Sequence, residues 1–271
     1  MTSAQREVDF LRRLKARFGG FVDRFWVRQG VTAVLETFPI HIRSGRTRIP
    51  IRCWSDLLAY AEIFRAGVYD PFFLECRPKA VCDVGCQSGM ATFRLSVLGR
   101  APERALLIDA NPRAIRRCQS NLLELGLERY FVVHGAVGTS RDDRGGAELS
   151  TEFVLRPNEL ECGLANSMPI DKQSTVLQVP VINLEETWLA TMGDVPCDLL
   201  KLDVEGAERE ILLQEEPFFR RVQRCLIEWH IPFASAAFVQ QRLADMGFVA
   251  FKSLAEDSSN GVLCCERKSN G

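Results

Sequence analysis

Four groups of residues have the types and spacing to bind a ligand and move a proton: Asp83 with Gly85 and Gly89, Asp109 with Asn111, Lys201 with Asp203 and Glu205, and Glu228 with His230. The first closes the stretch Ala-Val-Cys-Asp-Val-Gly-Cys-Gln-Ser-Gly at 80–89, where an apolar run gives way to a glycine turn. Glycine suits such a turn because a side chain would block the approach of backbone to a ligand and because positive φ is open to it. Asp83 adds a carboxylate that a dinucleotide-binding turn does not usually carry, and it suits a cationic ligand. Asp109 ends a second apolar run, 105–109, at a point 20 residues after Gly89 where α/β folds take a ribose by its hydroxyls. The plain alternatives are an ordinary strand-to-helix connection and a solvated helix cap.

The other two groups fit acid–base work. Positions 199–208, Leu-Leu-Lys-Leu-Asp-Val-Glu-Gly-Ala-Glu, read as a buried strand with Asp203 at its carboxyl end, after which Glu205 and Gly206 open a helix. The next strand, from 225, ends in Glu228-Trp229-His230. Ligands of an open parallel sheet collect at the carboxyl ends of its strands, so Asp203, Glu205, Glu228 and His230 can face one crevice. An unperturbed imidazole titrates near pH ~6.5 and accepts a proton at neutral pH, whereas a carboxylate near ~4 is a weaker base. His230 is therefore the expected general base, with Asp203 and Glu205 orienting the substrate or the imidazole. A rival reading makes Asp203, Glu228 and His230 ligands of a divalent metal. It ranks lower because Lys201 would compete for the carboxylates, and no metal is expected. Lys201 is itself costly in a buried strand unless a carboxylate pairs with it. A purely structural alternative lets Lys201 and Glu228 satisfy each other while His230 caps a strand.

These residues need a parallel sheet beneath them. Asn111 and Pro112 fit the N-cap and first turn of a helix with Ile115, Cys118 and Leu122 on one face and Gly126 as its stop. A third strand at 130–133 runs into His134-Gly135-Ala136-Val137-Gly138, small enough for a flat ring such as adenine to lie against backbone. Upstream, Ser55 or Asp56 would cap a helix running to Gly67 and packed through Leu58, Ala61, Ile63 and Phe64. Arg52, Asp56 and Tyr69 of that segment are candidates for substrate contact. Residues 139–196 are too many for a simple crossover; a turn signal at 142–146 and extended runs at 148–155 and 175–181 read as an inserted hairpin that adds to substrate recognition. Asn183 and Glu186 form a capping pair for a short helix. A helix at 234–246 and runs at 248–251 and 262–265 close the sheet with an antiparallel hairpin.

The composition, 46% hydrophobic and 25% charged over 271 residues, excludes fibrous and largely disordered classes. A net charge of -1 gives no global pull toward nucleic acid or membrane, although residues 1–52 carry +7 and the remainder -8. Residues 1–49 read as a basic N-terminal extension whose amphipathic helix, with Phe10, Leu14 and Phe18 on one face, docks on the main domain or pairs with a second subunit as a homo-oligomer, in preference to lying on an anionic membrane surface. The domain proper is expected at 50–271, with its insertion at 139–196. Ten cysteines lack a Cys-x-x-Cys zinc pattern and several lie in apolar runs, so free buried thiols are expected. With no signal peptide and no apolar run long enough for a transmembrane segment, the expected location is cytoplasmic.

Asp83-Val84-Gly85 with Gly89, Ile108-Asp109 with Asn111-Pro112, Gly135-Ala136-Val137-Gly138, and above all the Lys-x-Asp-x-Glu-Gly-x-Glu run from Lys201 to Glu208, resemble the FkbM-type S-adenosylmethionine-dependent methyltransferases over about residues 50–265. That family usually has Ala-Asn after the first glycine, where this chain has Cys86-Gln87. The resemblance implies a class I methyltransferase fold, a Rossmann-like α/β architecture with a mainly parallel seven-stranded sheet. It implies S-adenosyl-L-methionine as cofactor, with Asp83, Gly85, Cys86, Ser88, Gly89, Asp109, Asn111 and Ala136 as its binding residues. It also implies a small-molecule acceptor, methylated on a hydroxyl of a sugar, polyketide or related metabolite. Such a transfer is an in-line displacement at the sulfonium methyl, helped by positioning and by a base for the hydroxyl proton. Other classes fit less well. A nicotinamide-dependent oxidoreductase would have a third glycine in the turn and leaves Asp83 unexplained. A nucleic-acid methyltransferase would have Asn/Asp-Pro-Pro-aromatic where this chain has Val204-Glu205-Gly206, so no nucleic-acid partner is expected. A non-catalytic protein that retains the cofactor would differ only in a methyl-transfer assay.

Overall fold

The computed structural model describes residues 25–45, 47–125, 129–137, 150–156 and 162–268. It opens with helix α1 (Phe25–Thr37) and an antiparallel hairpin of β1 (Ile40–Ser44) and β2 (Thr47–Ile51). Leu35, Ile49 and Ile51 enter a core with Tyr60, Phe64 and Phe73, so apolar burial seals this segment to the next helices. Helix α2 (Trp54–Tyr60) continues as a π-helical turn, Ala61–Ala66, and Gly67 ends it in the left-handed region at φ 63°. The expected helix to Gly67 is thus present, but its N-cap is Cys53 rather than Ser55 or Asp56. Asp56 is instead fully buried and accepts the Arg52 backbone N–H at 2.8 Å. A short helix, α3 (Asp70–Phe73), leads to the sheet.

Apolar runs that need cover on both faces become parallel strands flanked by helices. β3 (Ala80–Val84), α4 (Met90–Val97), β4 (Arg104–Asp109), α5 (Pro112–Glu124) and β5 (Tyr130–His134) form the first half of the central sheet. The insertion then builds a second sheet with the short strand that follows β5. β6 (Ala136–Val137), β7 (Ser150–Leu155), β8 (Gly163–Leu164) and β9 (Thr175–Ile182) lie in the order β6-β9-β7-β8, with the expected antiparallel hairpin as its β7–β9 pair. After α6 (Leu184–Met192), the second half consists of β10 (Leu199–Leu202), α7 (Glu208–Gln214), α8 (Glu216–Phe219), β11 (Arg224–His230), α9 (Ala236–Asp245), β12 (Phe248–Glu256) and β13 (Asn260–Arg267).

The seven-stranded order is β12-β13-β11-β10-β3-β4-β5, parallel except for β13, which runs antiparallel between β11 and β12. This is the class I methyltransferase architecture. The chain reverses its direction of growth across the β3–β10 pair, which opens a crevice beyond the carboxyl ends of those strands.

Period-two alternation divides the sheet between two cores: Cys82, Val84, Leu106 and Ile108 face one, Val81, Ala105 and Leu107 the other. Asn111 caps α5 by accepting the N–H groups of Arg113 and Ala114, and Asn183 caps α6 through Glu186 N–H. Near the end of β13, Arg267 donates to the carbonyls of Phe219, Val222 and Met246 and lies 4.5 Å from the centre of the Phe248 ring. None of the ten cysteines forms a disulfide, and all but Cys162 are buried. Among the described residues no helix is long and apolar enough to cross a membrane. The basic helix around Phe10–Phe18, the stop at Gly126 and the turn at 142–146 lie outside the described residues.

Candidate active site

The glycine turn after β3 is latched to β4. Gly85 and Cys86 both donate their N–H to the Ile108 carbonyl, at 2.9 and 3.0 Å. Gly85 sits at φ 73°, and a Cβ there would stand 1.6 Å from the Asp203 carbonyl oxygen, so only glycine lets β3 and β10 meet this closely. Asp109 receives the Gln87 N–H on Oδ2 at 2.8 Å and the Asn111 N–H on Oδ1 at 2.7 Å. Burial raises its pKa, and those two donors oppose the rise.

Gly85, Cys86, Asp109, Asn111 and Ala136 line the crevice, together with Gln87. Asp83, Ser88 and Gly89 lie behind it. Asp83 is wholly buried, accepts the Thr92 hydroxyl at 2.8 Å and stands 3.6 Å from the Lys201 ammonium. The cation expected for Asp83 is therefore a residue of the chain itself. Ser88 is buried and its carbonyl accepts Asn121 Nδ2, while Gly89 N-caps α4 at φ 88° with Phe93 and Cys118 against it.

The crevice floor is acidic. Asp203, Glu205 and Glu228 line it from the ends of β10 and β11. Lys201 is held by Asp203 Oδ2 at 3.2 Å, by Asp83 and by the Gly85 carbonyl at 2.7 Å. Burial works against its charge, but Asp203 and Asp83 overcome this and raise its pKa. Glu228 is not its partner. Burial, then the charges of Asp203 and Glu62, push the Glu228 pKa well above the carboxylate range.

His230 Nδ1 faces Oε1 of Glu208 at 3.0 Å, and Nε2 faces Glu205 at 3.5 Å and Glu228 at 3.9 Å. Burial favours the neutral ring, but the Glu208 hydrogen bond and the charges of Glu208, Glu205 and Asp203 prevail, raising its pKa to about 10. These acids favour the protonated imidazole, whereas a general base must release its proton. Glu205 has φ 52°, a left-handed conformation costly for a residue with a Cβ.

The opposite wall carries Leu58, Glu62, Ile63 and Tyr69, and the insertion adds Phe153, Gly163 and Leu164. Tyr69, a candidate by sequence, is present. Arg52 and Asp56 turn away from the crevice: Arg52 bonds Asn121 and Glu124, and Asp56 is buried behind it. Sequence reasoning missed two acids. Glu62 interrupts the apolar face of Leu58 and Ile63, a pattern that could have revealed it. Glu208 closes the specific motif, yet nothing in the sequence ties it to a histidine 22 positions later.

The family model described as the methyltransferase FkbM domain matches residues 83–250. The chain belongs to this family. The matched domain is a methyltransferase domain. Its sequence matches none of the curated proteins. Solved structures similar to it include TrmK of M. capricolum in complex with S-adenosyl-homocysteine, at 11% identity and TM-score 0.41 over 70% of this chain and 62% of that one. They also include the magnesium protoporphyrin IX methyltransferase of Synechocystis PCC 6803 with bound SAM, at 12% identity and TM-score 0.44 over 78% and 81%. The present chain therefore spans less than two thirds of the TrmK chain.

Proposed function

We propose that this FkbM-domain protein methylates a hydroxyl group of a small metabolite such as a sugar or polyketide. The observation that carries the reading is the acidic floor of Asp203, Glu205 and Glu228, in the same crevice as the glycine turn and Asp109. The residues fit the cofactor. Gly85, Cys86 and Gln87 bring the turn after β3 to the crevice wall, and Asp109 presents a carboxylate at the carboxyl end of β4 for ribose hydroxyls. Cys86 and Gln87 would border the methionine portion and Ala136 the adenine. Bound there, S-adenosyl-L-methionine supplies an electrophilic methyl group on a sulfonium sulfur.

The chain's own residues must hold the acceptor oxygen in line and take its proton. In this reading His230 is not the base, because Glu208, Glu205 and Asp203 favour the proton staying on its ring. Glu205 takes the proton, with the His230 cation 3.5 Å away as its charge partner. Asp203, fixed by Lys201, orients the acceptor, and Phe153 and Leu164 cover its apolar part. A screen of metabolite fractions with isotopically labelled cofactor, read by product mass, identifies the acceptor. In single turnover, Glu205→Gln should then slow methyl transfer by about 10² to 10⁴-fold with cofactor affinity retained. An unchanged rate removes Glu205 from the chemistry. Cofactor binding without any labelled product would mark a non-catalytic binding protein.

A further inference from the structure

One ligand atom from each of Asp203, Glu228 and His230 lies within 4.8 Å of the other two, at the carboxyl ends of the neighbouring strands β10 and β11. We infer that these three side chains form a divalent-cation site in the floor of the crevice. The geometry of His230 is what separates it from a simple acidic patch. Its Nδ1 is engaged by Glu208, a fully buried carboxylate that is itself fixed by the Gly206 N–H. A ring anchored in this way through one nitrogen presents the other as a ligand, and a carboxylate behind a histidine is the usual second support of a metal ligand. Here the presented atom is Nε2, which faces Glu205 at 3.5 Å and Glu228 at 3.9 Å and gives up its proton when a cation binds.

Glu228 supplies an independent sign. Its side chain is only 14% exposed and lines the crevice, yet it accepts no hydrogen bond from any described residue; His230 at 3.9 Å is its ion-pair partner. A carboxylate so placed lacks the donors that normally offset its lost hydration. The objection from Lys201 also weakens. Its ammonium is shared by Asp83, the Gly85 carbonyl and one oxygen of Asp203, which leaves Glu228 and the second oxygen of Asp203 without it. Two carboxylates and one imidazole, with the crevice open beside them for water or an acceptor oxygen, suit a cation of the Mn²⁺ class. This deepens the proposed function and rests on it for the cation's role: a cation here would hold the acceptor's hydroxyl oxygen and make it more acidic, leaving Glu205 to receive the proton.

The test is titration of the chelator-treated full chain with Mn²⁺, reading free ion by electron paramagnetic resonance, with S-adenosyl-L-methionine binding measured calorimetrically on the same samples. One saturable site is expected, with spin-echo modulation from a directly bound ¹⁴N. Asp203→Asn, Glu228→Gln and His230→Gln should each weaken Mn²⁺ at least ~10-fold. Absence of wild-type Mn²⁺ binding, binding without ¹⁴N coupling, or affinity unchanged in all three variants overturns the site. The first and second of these need no variant to fold. Cofactor binding without Mn²⁺ binding overturns the cation site and leaves the methyltransferase reading standing, whereas Mn²⁺ binding without cofactor binding upholds the site and defeats that reading.

Discussion

Glu208→Gln isolates the interaction that makes His230 a cation. The substitution keeps the shape of a fully buried side chain and an oxygen for the Gly206 N–H, but removes the charge opposite Nδ1. A hydrogen bond to a charged partner contributes about 1.5–3 kcal/mol, and one pKa unit corresponds to about 1.4 kcal/mol, so the His230 pKa should fall by about one to two units. The wild-type ring titrates at about 10 in the folded chain against an ordinary value of 6.5. A folded-state value above the unfolded one means that the folded protein binds the extra proton. The stabilisation is therefore complete below pH 6.5 and is lost as pH rises through about 10. Heteronuclear NMR on chelator-treated protein can track the ring directly, since the chain has only three histidines. Urea titrations from pH 6 to 10 should show wild-type stability declining with pH and a shallower decline in Glu208→Gln. A wild-type His230 that titrates near 6.5, or one whose titration does not move in the variant, refutes the reasoning and restores the imidazole as a candidate base.

The same geometry sets three further outcomes. Lys201→Met should destabilise the fold by about 3–5 kcal/mol in chemical denaturation, because it strands the buried Asp83 and the Asp203 carboxylate without their cation; a loss below ~1 kcal/mol would show that the pair is not buried as described. Asp109→Ala should weaken S-adenosyl-L-methionine by about 1–3 kcal/mol in calorimetry, and undiminished affinity would remove Asp109 from the cofactor's contacts. Gly85→Ala puts a methyl group into the Asp203 carbonyl and a left-handed φ on alanine, so it should lower the thermal midpoint and abolish cofactor binding together; a variant that binds normally would refute the packing of β3 on β10.

Much of this site is legible in the sequence because local rules and tertiary structure agree. The runs around Val81, Leu106 and Leu200 are apolar on both faces, and only covered parallel strands satisfy that. Asn111 and Asn183 announce helix starts whose bonds are local, and both caps are present. What the sequence hides is decided by partners far along the chain. Asp83 reads as a ligand group, but Lys201, 118 positions later, stands beside it in the fold. The basicity of His230 depends on acids at 203, 205 and 208 brought together by the β10–β11 pairing. The insertion reads as a hairpin because β7 and β9 are extended runs, but its parallel join to β6 at Ala136 and Val137 has no local signature.

The position of β13 has a consequence for how the chain can be made. This strand, after β12 in sequence, is interior in space, wedged between β11 and β12. During synthesis, then, β11 emerges with one row of N–H and C=O groups unclaimed, and β12 has no partner in the main sheet until residues 260–267 have left the ribosome. An open edge beside Leu226 and Ile227 is a template for another chain's strand. Nascent chains halted near residue 256 should therefore aggregate or recruit holdase chaperones, and release should coincide with the arrival of Arg267 among the carbonyls of Phe219, Val222 and Met246.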